Sequence, residues 1–202
     1  MSADPEPFSV ELESWLRSPG AKTLRAVEEQ FGRRSFAIVI LLLMAVPALP
    51  LPTGGISHLM EVLAILLALG LVARRDRLWL PRRWQERDLA GGFGLKAVGG
   101  TVRFIRFFER VSRPRGTALF RRKTIVQLLG LVIIGLALSA LLAPPFSGLD
   151  TLPSLGVVIV CLAIILEDVV LLAVGVCVGS LGVALILTVG TALFGLVKSW
   201  IW

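Results

Sequence analysis

Five stretches of this chain are apolar almost without interruption: residues 36–51, 56–73, 124–143, 153–166 and 169–197. Wound as α-helices they would measure roughly 24, 27, 30, 21 and 43 Å, against a hydrocarbon core of about 30 Å. Nothing else in the sequence restricts the fold as strongly. With 55% hydrophobic residues, 17% charged residues and a mean hydropathy of +0.83, 202 residues cannot hide this surface in one soluble core. The expected solvent is the bilayer, where a backbone must satisfy its own polar groups, and the expected fold is an all-α polytopic membrane protein. The third run spans comfortably. The first and fourth are short, so each either crosses a thinned bilayer or enters and turns back as a re-entrant segment. The fifth either spans with tilt or breaks at the Gly-rich GVCVGSLG, 175–182. The charged segment before Phe36 carries no cleavage pattern, so no signal peptide is expected.

Charge gives the orientation. Residues 74–123 hold 15 basic and 4 acidic side chains, a net of +11, whereas the links at 52–55 and 144–152 hold no basic residue. By the positive-inside rule the 74–123 loop is cytoplasmic. An apolar hairpin joins it to the N-terminal segment, which is therefore expected inside as well, with the side of the C-terminus left open. The basic residues flank membrane segments and accompany no nucleic-acid module, so the expected partners are anionic lipid headgroups and not nucleic acid. Cys161 and Cys177 fall inside apolar runs, where a thiol is a small hydrophobe, and indicate neither disulfide nor metal.

The chain divides into N-terminal cytoplasmic or interfacial helices (1–35), a first membrane hairpin (36–73), a basic cytoplasmic loop (74–123), a second membrane hairpin (124–168) and a C-terminal membrane helix (169–202). Helical spacing appears at 8–17 and 20–34, where Leu24, Val27 and Phe31 share a face. Within the loop, 97–111 alternates Arg103, Arg106 and Arg110 with Val102, Ile105, Phe108 and Val111. That is an amphipathic helix, lying on the bilayer or packed on the N-terminal segment as an ordinary solvated helix. The two hairpins read as related copies: Pro52 matches Pro145, Gly55 matches Gly148 and Leu59 matches Leu152, each 93 residues on. Paired Pro/Gly breaks point to a site at a repeat interface.

RRSFAIVILLLMAVPALPLPTGG (33–55), WLP (79–81), ERVSRPR (109–115) and a second Pro-rich break with a later Glu-Asp resemble the exopolysaccharide synthesis protein ExoD family, from about residue 20 to 197. The resemblance implies a bacterial inner-membrane protein associated with exopolysaccharide production and without established enzymatic activity. The chain departs from the family pattern at IILEDVVLL (164–172), where glycines are expected around the acidic pair.

Two breaks carry the candidate site. In LPLPTGGISHLMEV (49–62), Pro50, Pro52, Gly54 and Gly55 interrupt the helix, and Ser57, His58 and Glu61 follow. Proline removes a donor and glycine admits unusual dihedrals, so the freed carbonyls need partners. The stretch is a tight extracytoplasmic turn or a re-entrant tip. His58 and Glu61, three residues apart, share a face and would be costly against lipid. In the second break Pro144, Pro145 and Gly148 precede Asp150. If the breaks converge, His58, Glu61 and Asp150 form a polar cluster able to pass a proton or hold a polar headgroup; otherwise Asp150 caps the following helix. Glu167 and Asp168 are read as marking the membrane surface. Arg113, Arg115, Arg121, Arg122 and Lys123 are read as docking lipid headgroups.

Enzyme signatures are lacking. GLKAVGGT (94–101) has Gly100 where a phosphate loop needs lysine, and one histidine cannot complete a metal site. The expectation is a non-enzyme without cofactor or metal. It supports exopolysaccharide synthesis or export, by transport or scrambling of a lipid carrier or small solute at the repeat interface, or as a non-transporting scaffold or regulator of polysaccharide machinery. GVCVG (175–179) suggests close helix packing within the chain or in a homo-oligomer.

Overall fold

The structure, a computed structural model, describes residues 7–20, 23–32, 34–50, 55–73, 92–110, 112, 116–120, 122–144 and 147–201. All regular elements among them are helices: α1 (Phe8–Arg17), α2 (Leu24–Phe31), α3 (Arg34–Met44), α4 (Gly55–Val72), α5 (Gly92–Glu109), α6 (Thr117–Phe120), α7 (Lys123–Leu141), α8 (Thr151–Leu166) and α9 (Val169–Ile201).

Local chemistry sets several ends. The Thr23 side chain accepts from Ala26 N at 3.2 Å to start α2, and Gly32, at φ 53°, ends it. α3 stops at Met44 because Pro47, which has no N–H to give, follows within a turn; the chain then winds on loosely through Leu49. α9 runs 33 residues without the break considered at 175–182. Its glycines stay helical and are used for packing.

Four helices make the bundle. α3 and α7 each pack on both α4 and α8, and α9 lies outside against α8 and α7. The α8–α9 contact is close enough to need glycine: a methyl group at Gly156 would lie 2.5 Å from the Gly179 Cα, and one at Gly182 would lie 2.5 Å from Pro153. The small-residue motif therefore serves packing within the chain. Gly130 of α7 similarly admits Val72 and the Ala68 carbonyl of α4. Phe36, Ile40, Met44, Leu67, Ile133, Val157 and Leu162 fill the core between these helices.

Helices α4 (Gly55–Val72), α7 (Lys123–Leu141) and, within α9, Val169–Ala192 are long and apolar enough to cross a bilayer, while α3 and α8 are shorter apolar helices. At the other end of α3, α1 and α2 meet through Phe8, Trp15 and Phe31, whose rings pack edge to face. α5 packs on α1: Val102 and Ile105 face inward, the Ser9 hydroxyl donates to Glu109, and Arg106 pairs with Glu13. α5 thus packs on the N-terminal segment, and Phe104 and Phe107 remain exposed on its other side. Val111 lies outside the described residues.

Candidate functional site

The helix ends next to the breaks collect polar groups. α4 opens at Gly55, and Ser57, His58 and Glu61 occupy its first two turns. Ser57 and Glu61, four residues apart, both point into the protein, and Glu61 is 0% exposed. The His58 side chain stays 30% exposed, with Nδ1 3.1 Å from Glu61 Oε2. The contact is close but poorly aligned, so Nδ1 and both Glu61 oxygens have no hydrogen-bond partner. Leaving a buried polar group in that state costs about 1–3 kcal/mol.

Asp150 sits half-buried at the start of α8. It does not cap the helix as expected. Its backbone is already helical, at φ −68° and ψ −22°, so the carboxylate is not set to reach the free N–H groups. One turn on, Ser154 is 0% exposed and its hydroxyl has no partner. Sequence reasoning missed Ser154, because one serine in an apolar run carries no signal.

Packing registers give the relative depths. Phe36 lies against Gly70, and eight residues toward the break the same antiparallel register sets Met44, where α3 ends, beside Val62. Past Met44 the chain continues in turns, with the Leu41 carbonyl accepting from Ala45 N and the Met44 carbonyl from Ala48 N. The Gln127 side chain donates to the Val72 carbonyl at 2.8 Å, and eleven residues along that pair Glu61 is level with Leu138. Leu136 and Gly156 both meet Gly179, so Leu138 is also level with Ser154.

Of the breaks themselves, Pro50, Gly55, Pro144 and Gly148 are all exposed. Gly148 has φ +67°, a conformation that favours glycine, in a turn where the Ser147 hydroxyl donates to the Pro144 carbonyl at 2.6 Å. Pro52, Gly54 and Pro145 lie outside the described residues.

The opposite end is held by residues the sequence treated only as surface markers. Glu167, at φ 54°, accepts from Arg34 at 2.6 Å, joining the α8–α9 turn to the start of α3. Asp168 is buried, accepts from the Ser112 hydroxyl at 2.8 Å, and caps α9 by accepting from Val170 N at 2.8 Å. Gly116 fits against Val169. Arg122 and Lys123 are exposed at the start of α7, while Arg113, Arg115 and Arg121 lie outside the described residues.

Three apolar helices of spanning length packed in one bundle define a helical membrane protein. The chain matches the family described as "Exopolysaccharide synthesis, ExoD" over residues 8–188 and belongs to that family. It is 30% identical over 124 residues to the uncharacterized protein slr1875 of Synechocystis sp., covering 61% of this chain and 58% of that one. It is 26% identical over 156 residues to Protein ExoD of Rhizobium meliloti, covering 76% of this chain and 64% of that protein. The matches thus span less than two thirds of the length of either relative. No solved structure matches the chain.

Proposed function

We propose that this chain supports exopolysaccharide synthesis or export from within the bacterial inner membrane, moving a lipid carrier or small solute past the polar end of its bundle. The N-terminal segment and the basic loop face the cytoplasm. Family membership supports the process, through the printed family description. The observation that carries the mechanism is Glu61: a fully enclosed carboxylate in an apolar helix is expensive and is tolerated where it has work to do.

Helix lengths favour re-entrant tips. α8 and α9 run antiparallel with Gly182 against Pro153, so Thr151 is level with Ala184. Ala184 is about 22 Å along α9 from Val169. The apolar span of α9 continues to Ala192, exposing Leu185 and Leu187 past the tip of the hairpin. On this reading the breaks end short of the far membrane face. A repeat is supported by the offset of 93 that pairs Gly55 with Gly148: it carries Glu61 onto Ser154, which is also buried.

No covalent chemistry is assigned to the chain. Exposed Arg122 and Lys123, with Arg113, Arg115 and Arg121, contact anionic headgroups, each contributing about 1 kcal/mol. The test is reconstitution into liposomes containing a fluorescent polyprenyl phosphate. Accelerated transbilayer movement that Glu61→Gln slows is expected. Movement equal to protein-free liposomes overturns the transport reading and leaves the scaffold, which exposed Phe104 and Phe107 on α5 favour as a docking strip for polysaccharide machinery.

A further inference from the structure

We propose that Glu61 and His58 form a proton-binding site that loads from the break end of the bundle and is closed toward the cytoplasm. This deepens the transport reading above and rests on it for its role, though not for its existence.

An ionised carboxylate with no exposure is strongly disfavoured unless a positive charge meets it. On α4 and the two helices packed against it, α3 and α7, the only lysine or arginine residues are Arg34 and Lys123, each at the helix end remote from Glu61. Among the described residues, the other ionisable groups at this end of the bundle are His58, on the same helix, and Asp150, at the start of α8. The sequence of the links, 45–54 and 142–150, adds none besides Asp150. Asp150 is a second acidic group and brings no positive charge. Among the described residues no group of three His, Cys, Asp or Glu could hold a metal ion. A proton is the cation these groups suit.

His58 supplies the route. Its Nδ1 lies 3.1 Å from Glu61 Oε2 while part of the ring is exposed. On unloading, the ring turns to bring Nδ1 into line with the carboxyl and the Glu61 O–H bond breaks as an N–H bond forms at Nδ1; the resulting imidazolium releases its Nε2 proton to water. Loading runs the reverse, and no oxidant or other reactant is needed. Toward the cytoplasm, α4 continues as VLAILLALGLV, with no polar side chain for about 17 Å, and α3 presents only apolar residues from Phe36 to Met44.

The experiment uses the full chain in detergent micelles and dicyclohexylcarbodiimide, which adds to a protonated carboxyl in an apolar setting and rearranges to a stable N-acylurea. Peptide mass spectrometry reads the adduct. Glu61 should be modified at neutral pH, and the adduct should be lost as the pH is raised and the carboxyl ionises. Glu61→Gln should abolish that adduct while eluting as a single folded species, and His58→Ala should displace the pH profile without abolishing it. A Glu61 adduct unchanged as the pH is raised, or labelling confined to Asp150 or Glu167, overturns the proposal. A pH-dependent Glu61 adduct in a protein that moves no lipid keeps the proton site and removes the transport reading. Lipid movement with Glu61 unlabelled does the opposite.

Discussion

The two membrane hairpins use their second helices differently. α8 is enclosed by α3, α7 and α9, and none of its large apolar side chains is exposed. α4 keeps an open face of Ile56, Leu59, Val62, Leu66 and Leu69, and turns Ser57 and Glu61 inward. At matching depth, α8 has a serine where α4 has a carboxylate. First helices differ too: α7 runs 19 residues, whereas α3 stops after 11. α8 meets α9 through Gly156, Gly179 and Gly182, while α3 meets α4 through Gly70 and Phe36, and α4 carries the costly group. The difference lies in what the second helix buries: apolar side chains and one serine in α8, a carboxylate in α4.

The sharpest way to break this comparison is to thicken the α8–α9 contact. Gly156→Leu has no room against Gly179 and should destabilise the bundle by about 3 kcal/mol or more, read as loss of membrane-inserted, monodisperse protein. A Gly55→Ala control on the first hairpin, with open space around it, should insert normally. Equal behaviour of the two variants would erase the distinction.

Next in size is the capped turn. Asp168→Ala removes both the α9 cap and the Ser112 anchor and should lower stability by about 1–2 kcal/mol, measured as a fall in Tm in detergent. Ser112→Ala should cost less, since the cap survives.

The polar pair separates function from stability. Ser154→Ala removes an unpartnered buried hydroxyl and should raise stability by up to about 1 kcal/mol, leaving exopolysaccharide output unchanged. Glu61→Gln should impair output with the protein still folded. Output lost on both substitutions would make the hairpins functionally equivalent.

The smallest effect is expected from Arg34→Ala, whose ion pair with Glu167 is partly exposed: a change of at most about 1 kcal/mol, shrinking as salt is raised. A large, salt-independent loss would turn this pair from a surface contact into a structural clamp.

Much of the architecture was legible beforehand. The apolar runs located α4, α7 and α8 to within about two residues, the usual uncertainty of helix ends, and the start of α9, whose helix continues four residues past its run to Ile201. The run at 36–51 overstated α3, because hydropathy continues through Pro47 while the helix does not. Residues 20–34 shrank to Leu24–Phe31 because Gly32 turns the chain and Thr23 fixes the start. His58 and Glu61 were legible as a pair because three-residue spacing on a helix is a local rule. Asp150 misled because a cap depends on the dihedrals of one residue, which its identity does not dictate.

What the sequence by itself determined is the solvent, the helix positions and the presence of ionisable groups beside two breaks, since hydropathy, proline and glycine act on their own stretch of chain. Only the tertiary structure decided that Glu61 is sealed while His58 reaches the surface, that Ser154 lies at the same depth, and that Glu167 meets Arg34 from 133 residues away. Each of these depends on which helix faces are brought together, and apolar helices of similar composition leave that choice to the close fit of glycine and side-chain shape along their contacts.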